Sequence, residues 1–256
     1  MMKKAHSLPH FYSGLSGLAL PIPKYLFPEQ YQHSSRLTYY ASLFNSIEIN
    51  STFYKLPLPK TIGKWMTEVP AHFKFTFKLW KGITHVSELD FKETDVEAFF
   101  SMISPTAQKK GCVLIQFPPS IGKNNIQRLD LLLKCIALYN INREWKIAVE
   151  FRNKSWYQSD VYELLESHHA ALVVQDMPKV STPTIDHSSD FMYIRFHGPT
   201  GNYRDSYTED FLAEYASYID EWLDEGKTIF VYFNNTMGDA FKNVQTLNKF
   251  LYSAHE

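Results

Sequence analysis

Two polar side chains interrupt the end of an otherwise apolar run at residues 191–198. Arg195 and His197 are two residues apart, so in a strand they share one face, opposite Ile194 and Phe196. A guanidinium binds phosphate or carboxylate through two parallel hydrogen bonds, and an imidazole transfers protons near neutral pH. The pair therefore indicates a site where an anion is bound and a proton is moved.

Other strand-like runs also carry acidic side chains near their ends. Glu48 stands between two isoleucines, Glu150 stands between a valine and a phenylalanine, and Asp176 closes the run 170–176. Carboxyl groups from different strands can serve together as general acid and base. The predicted catalytic residues are Glu48, Glu150, Asp176 and His197.

A second set of polar side chains lies at the same ends of these runs and carries hydrogen-bond donors suited to an anionic substrate. The predicted substrate-binding residues are Asn50, Lys78, Gln116, Arg152, Arg195 and Asn234. Together the two sets predict an enzyme that acts by general acid–base chemistry on a small phosphorylated or carboxylated molecule, with hydrolase, lyase and isomerase all open.

The elements that must position these residues alternate along the chain. Short aromatic or β-branched runs recur from residue 11 to residue 235, and helix-like segments such as 126–139 and 207–226 separate most of them. Thr208 is a candidate N-cap and Gly226 a candidate stop for the last of these. Strands alternating with helices favour parallel pairing in an α/β fold.

The number of strand-like runs predicts a single-domain TIM-type (β/α)8 barrel over residues 1–256, with an irregular connection before the run at residue 191. A doubly wound open sheet is the alternative. In a barrel the polar strand ends converge on the C-terminal mouth, where such folds place their active sites.

Four alternatives remain open for this site. Glu48, Glu150, Asp176 and His197 are acceptable ligands for a divalent metal, although three cations at the same mouth make a metal the less favoured cofactor. The charges can instead pair off as a buried structural network. Aromatic side chains near the strand ends also allow nucleic-acid binding, which is not favoured, and a non-catalytic ligand-binding barrel uses the same pocket.

Composition excludes several classes of protein. The formal net charge of the 256 residues is −1, so no global field attracts the chain to nucleic acid or to an acidic membrane. Cys112 and Cys135 are the only cysteines and predict buried free thiols rather than a disulfide framework. The first residues read as mature sequence rather than a signal peptide, and no run is apolar enough to span a membrane, so we expect a cytoplasmic protein.

Six short motifs in order resemble the YecE-like family, also called domain of unknown function seventy-two. They are FNSIEINSTFYKLP, FKLWKGITH, LIQFPPS, AVEFRNKSW, YIRFHG and VYFNNTMGDAFKN, and they run from residue 44 to residue 243. The resemblance implies a TIM-type barrel and supplies no reaction, because the family is of uncharacterised function. It also implies a Gly-Thr-Ser-Gly-Trp-like end of the first strand, where this chain has Gly14-Leu15-Ser16-Gly17-Leu18 without the tryptophan.

Overall fold

The computed structural model describes residues 8–183 and 189–255. Residues 1–7, which bear on the prediction of a mature N-terminus, lie outside the described residues, as do residues 184–188 of the predicted irregular connection. The strands of the described part are β1 (Phe11–Leu15), β2 (Ser46–Ile49), β3 (Lys74–Lys78), β4 (Lys110–Phe117), β5 (Lys146–Phe151), β6 (Ala170–Leu172), β7 (Val174–Gln175), β8 (Phe191–Phe196) and β9 (Thr228–Phe233).

Helices separate most of these strands, as the alternating pattern predicts. They are α1 (Arg36–Ala41), α2 (Pro59–Glu68), α3 (Lys81–Thr84), α4 (Glu93–Ile103), α5 (Ile126–Tyr139), α6 (Ser159–Ser167), α7 (Glu209–Asp224) and α8 (Ala240–Ala254). Helix α7 has the predicted caps: Thr208 Oγ1 accepts a hydrogen bond from the backbone N of Phe211 at 3.2 Å, and Gly226 follows the helix with a φ of 80°. No helix among the described residues has the length and apolarity needed to cross a membrane.

The strands pair in parallel and form two sheets, in the orders β1-β9-β8-β7 and β2-β3-β4-β5-β6. The predicted strand at 170–176 is divided at Val173: β6 pairs with β5, and β7 pairs with β8. The α/β class with parallel pairing is therefore confirmed. The predicted closed barrel is not confirmed, because the two sheets are not joined into one continuous ladder.

Each side of the strands has its own apolar cluster, as the period-two alternation predicts. Ile194 and Phe196 belong to the larger cluster, which also contains apolar side chains of the helices. The smaller cluster, on the opposite face, draws on strands of both sheets, and its members are Cys112, Leu114, Ala148, Ala171, Val173, Phe191, Tyr193, Phe230 and Tyr232. Both cysteines are free and buried, which confirms that prediction.

Where β1 lies beside β2, side chains take the place of some of the backbone hydrogen bonds that would join the two strands. The Tyr40 hydroxyl accepts a hydrogen bond from Leu15 N at 2.7 Å and donates one to Ser46 O at 2.9 Å. Asn45 does the same with its amide, accepting from Ser13 N at 2.9 Å and donating to Phe11 O at 2.7 Å. These two side chains satisfy backbone groups that a neighbouring strand would otherwise satisfy. In the part of the chain that the structure describes, a bridge between Ser16 and Glu48 is the one direct backbone link at this seam.

The connection between β7 and β8 contains no helix in residues 176–183 and 189–190, the part of it that the structure describes. Thr182 folds this segment back onto β7: its Oγ1 accepts from Gln175 N at 3.1 Å and donates to Val173 O at 2.7 Å. This agrees with the predicted irregular connection.

Candidate functional site

Arg195 on β8 is the centre of a group of buried charges. Its Nε and Nη2 donate to Glu48 Oε2 and Oε1 at 2.9 and 2.7 Å, and its Nη1 donates to Glu150 Oε2 at 2.7 Å. All three side chains are at most 1% exposed. Tyr193, on the same face of β8, donates its hydroxyl hydrogen to Glu48 Oε2 at 2.5 Å. Because Glu48 and Glu150 belong to one sheet and Arg195 to the other, these bonds tie the two sheets together.

Arg152 and His197 complete this buried charge cluster, which comprises Glu48, Glu150, Arg152, Arg195 and His197. Arg152 Nη2 pairs with Glu150 Oε1 and lies 2.8 Å from His197 Nε2, while Arg195 Nη1 lies 3.1 Å from the same nitrogen. Guanidinium groups only donate, so His197 Nε2 is the acceptor and the ring proton lies on Nδ1. The basic nitrogen of His197 is therefore already occupied.

The cluster keeps its charges at neutral pH. Burial by itself raises the pKa of Glu48 and Glu150, but the facing arginines outweigh burial and hold both pKa values below their usual range. Burial also lowers the pKa of His197, and here it outweighs the attraction of Glu150 and Asp176. The result is two carboxylates, two guanidiniums and one neutral imidazole.

Asp176 lies beyond the end of β7 and fixes the turn after β8. Its Oδ1 accepts from the backbone N of His197 at 2.8 Å, and its Oδ2 accepts from the Tyr207 hydroxyl. The Tyr207 oxygen in turn accepts from the backbone N of Gly198 at 2.5 Å. The carboxylate thus supports the position of His197 from the side of the backbone.

A pocket of about 320 Å³ opens above the cluster at the carboxyl ends of the strands; we call it the mouth pocket. All six predicted substrate-binding residues line it, and none of its lining residues is acidic. The lining comprises Asn50, Phe53, Tyr54, Lys78, Gln116, Arg152, Arg195, Tyr203, Asn234, Thr236 and Met237. The pocket surface therefore combines three cations with amides and aromatic rings.

The four predicted catalytic residues are brought close to this pocket, but none of them lines it. Glu48, Glu150 and His197 are fully buried beneath it, and Asp176 lies at its side with 11% of its side chain exposed. Their catalytic role stays a prediction. The ion pairs expected of a buried structural network do form. They join Arg195 to both glutamates and Arg152 to Glu150.

Lys78, at the end of β3, contacts uncharged groups. Its Nζ donates to Gln116 Oε1 at 2.8 Å and lies 4.1 Å from the centroid of the Phe53 ring. Burial, followed by repulsion from Arg195, lowers the pKa of Lys78 to about 8. Burial and the charge of Lys78 together lower the pKa of the neighbouring His85 to about 4.

The loop after β8 holds Tyr203 in the pocket wall. Tyr203 has a φ of 61°, its backbone N donates to His197 O at 2.8 Å, and its carbonyl accepts from Met237 N at 3.0 Å. Gly198 has a φ of 93°, and a Cβ there would lie 2.3 Å from Arg204 O. This glycine is therefore required by the folding of the loop on itself.

Sequence reasoning missed two groups of residues. Tyr193 carried a usable signal, because it shares the period-two face of Arg195 and His197. Tyr207, Thr236 and Met237 carried none, since loops without periodicity deliver them to the site. Among residues 8–183 and 189–255, no three or more His, Cys, Asp or Glu side chains are grouped so as to hold a metal ion.

A model of the family described as Protein of unknown function DUF72 matches residues 12–256. UPF0759 protein YunF of Bacillus subtilis (strain 168) is 29% identical over 251 residues, which cover 85% of this chain and 87% of that protein. UPF0759 protein YecE of Escherichia coli (strain K12) is 29% identical over 118 residues, which cover 46% of this chain and 42% of that protein.

Two solved structures are similar in fold over nearly the whole chain. A DUF72 family protein from Enterococcus faecalis V583 has a TM-score of 0.79 at 24% identity and covers 94% of this chain and 95% of its own. A DUF72 family protein from Thermotoga maritima MSB8 has a TM-score of 0.70 at 27% identity and covers 96% of this chain and 99% of its own. The names of these relatives state no activity.

Proposed function

We propose, for a chain that belongs to the DUF72 family as its motifs predict, that the mouth pocket binds a small phosphorylated or carboxylated molecule and that the protein is an enzyme acting on it. The observation that carries this proposal is the composition of the pocket wall. Lys78, Arg152 and Arg195 line it, and no acidic side chain among the described residues does. An anion entering the pocket therefore meets cations and amide donors without a repelling carboxylate.

The buried glutamates support anion binding from beneath. An arginine has five N–H donors, and Arg195 uses three of them on Glu48 and Glu150. A fourth donor of Arg195 is directed at His197 Nε2, so these partners fix the plane of the guanidinium and leave one donor, on Nη2, for a ligand. Two further polar atoms of the wall, Asn50 Oδ1 and Arg152 Nε, have no hydrogen-bond partner among the described residues. A ligand that both donates and accepts hydrogen bonds suits these atoms.

The catalytic roles within this proposal follow from whether each residue lies in the pocket wall or is buried beneath it. The low pKa values of Glu48 and Glu150 remove them as general acids at neutral pH, and His197 has its basic nitrogen occupied by two arginines. We infer that these residues orient Arg152 and Arg195, while a proton-transfer group in contact with substrate has to come from the pocket wall. Lys78, whose pKa burial lowers to about 8, is our candidate in the wall.

We also propose that the two sheets close into a barrel around the smaller apolar cluster. Val173 connects β6 to β7 without leaving the strand path, and Ser16 bridges to Glu48 at the other seam. The hydrogen bonds of Tyr232 on β9 to Ser46 and Thr76, at 2.5 and 2.8 Å, also run from one sheet to the other. Closure accounts for the convergence of the polar strand ends at one mouth.

Thermal unfolding with added anions tests the proposed function. Inorganic phosphate, sugar phosphates and carboxylic acids are added to wild type, to Arg152→Gln and to Lys154→Gln, a cation of the same loop that does not line the pocket. A ligand at about 100 times its Kd adds about 2.7 kcal/mol, which raises Tm by about 5 °C or more at this size.

We expect the shift in wild type and Lys154→Gln and its loss in Arg152→Gln. An equal shift in all three proteins contradicts the assignment of the pocket, and no shift with any small anion contradicts the function. A shift with oligonucleotide alone, falling steeply with salt, supports the nucleic-acid alternative instead.

A further inference from the structure

Lys78 differs from the two arginines of the mouth pocket in having no carboxylate partner. Arg195 pairs with Glu48 and Glu150, and Arg152 pairs with Glu150. None of the ion pairs formed among the described residues includes Lys78, whose Nζ contacts the amide of Gln116 and the ring of Phe53. Gln116 accepts a hydrogen bond from a neutral amine as well as from an ammonium, and the Phe53 ring favours the ammonium form less strongly than a carboxylate does.

The charges of Glu48, Glu150, Arg152 and Arg195 balance without Lys78, and the carboxylate of Asp176 is bound to His197 N and the Tyr207 hydroxyl rather than to Lys78. Glu48 and Glu150 carry two negative charges, and Arg152 and Arg195 carry two positive ones, so a protonated Lys78 is a positive charge with no carboxylate in contact, in a largely buried position. Loss of its proton removes both the cost of burying a charge and the repulsion from Arg195. With a pKa of about 8, about a tenth of the Lys78 side chains are neutral amines at pH 7.

A neutral amine beside fixed cations is the arrangement that activates a lysine as a nucleophile toward carbonyl compounds. We propose that Lys78 forms a Schiff base with an anionic carbonyl substrate, a 2-oxo acid or a phosphorylated aldehyde or ketone, whose anionic group Arg152 and Arg195 hold. The proposal rests on the proposed function, because the arginines must bind the anion for the carbonyl to reach Nζ.

The step balances without a further reactant. The lone pair of the neutral Nζ adds to the carbonyl carbon, and the carbonyl oxygen takes one Nζ proton to give a carbinolamine. The nitrogen lone pair then expels this oxygen as water, which carries away the second Nζ proton. A carbon–nitrogen double bond replaces the carbon–oxygen double bond, and nothing is oxidised or reduced.

Borohydride trapping followed by mass spectrometry of peptides tests the proposal. The probes are pyruvate, dihydroxyacetone phosphate and pyridoxal phosphate, with acetone as the carbonyl compound that lacks an anion. Lys74 is the matched control, because it begins the strand that Lys78 ends and is half-buried, with its Nζ bound to Gln108 O at 2.8 Å. We expect at least one anionic probe to give about tenfold more reduced adduct at Lys78 than at Lys74.

Two further arms separate the proposal from the proposed function. Lys78→Arg removes the amine and is expected to give no adduct in the pocket, which shows that the trapped signal comes from Lys78 and not from another lysine. Failure of every probe to modify Lys78 in a wild-type sample that phosphate still stabilises overturns the Schiff base and leaves the anion site intact. Loss of both responses overturns the proposed function as well. Equal Lys78 adducts with acetone and with the anionic probes overturn the role given to the arginines.

Discussion

Arg195 shows how a single side chain can have two tasks. Its buried edge binds Glu48 through two parallel hydrogen bonds and Glu150 through a third, while the same guanidinium forms part of the pocket lining. A lysine at this position has no planar fork and cannot match both carboxylates. The residue that fixes the two sheets to each other is thus also a residue that we expect to touch the ligand.

Glu48→Gln tests the structural half of that role. The change removes a buried charge and leaves part of the Arg195 charge uncompensated, so we expect a loss of about 3–5 kcal/mol in the free energy of unfolding. Glu144→Gln is the control, because Glu144 also pairs with a cation, Lys110, but is 53% exposed. Urea unfolding of both variants provides the comparison, and equal stability of Glu48→Gln and wild type contradicts a structural role for the pair.

Alternation along single strands was enough to predict the strand-end residues that line the pocket, but not its loop residues Thr236 and Met237. Asn50, Lys78 and Asn234 follow from counting in steps of two beyond the apolar positions. The depth of each residue could not be predicted, because it depends on register: Glu48 is level with Thr76, and Gln116 is level with Glu150. A one-residue shift between strands changes which groups reach the pocket, and periodicity within one strand does not encode that shift.

At the scale of elements, the seam between β1 and β2 explains why the sheets do not form one ladder. The Tyr40 hydroxyl occupies the space between Leu15 N and Ser46 O, and Gly14 makes room for it: a Cβ at Gly14 would lie 2.6 Å from that hydroxyl and 2.0 Å from Ser46 O. A single helix residue thus provides both a donor and an acceptor to the strand edges. No local pattern in the sequence predicts this contact, since it joins α1 to two strands.

Tyr40→Phe should weaken this seam selectively. It leaves Leu15 N and Ser46 O buried without a partner, which costs about 1–3 kcal/mol for each group. Tyr39→Phe is the matched control, because the Tyr39 hydroxyl has no hydrogen-bond partner among the described residues. Hydrogen exchange at Leu15 should be faster in Tyr40→Phe than in Tyr39→Phe. Unchanged exchange and unchanged stability would show that the tyrosine bridge contributes little.

At the scale of the whole molecule, the buried charge cluster makes stability depend on pH. His197 has a lowered pKa because burial outweighs its neighbouring carboxylates, and the usual value is 6.5. Below pH 6.5 the unfolded chain takes up a proton at this histidine while the folded protein does not, so stability falls as the pH falls. The depressed pKa values of Glu48 and Glu150 act in the same direction, but only below about pH 4.5.

The free energy of unfolding of wild type and of His197→Gln, measured between pH 7.5 and pH 5, separates the contribution of this histidine from those of the other groups. We expect the stability of wild type to fall by about 1 kcal/mol per pH unit more than that of the variant below pH 6.5, whatever the offset between them. His85 has a pKa lowered to about 4 and contributes equally to both proteins, so it cancels. His72→Gln, at an exposed position, should keep the wild-type slope. Parallel curves for wild type and His197→Gln contradict the neutral imidazole.

The apolar cluster beneath Arg195 determines how a molecule can enter and leave the pocket. Tyr193, Tyr232, Phe191 and Phe230 are at most 2% exposed and fill the space below the charges. Among the described residues these rings close the way from the pocket toward the amino ends of the strands, so a molecule leaves the pocket through the opening by which it entered. For the enzyme proposed above, substrate and product would exclude each other from one space, so we expect product inhibition to be competitive with substrate and each turnover to wait until the product has left.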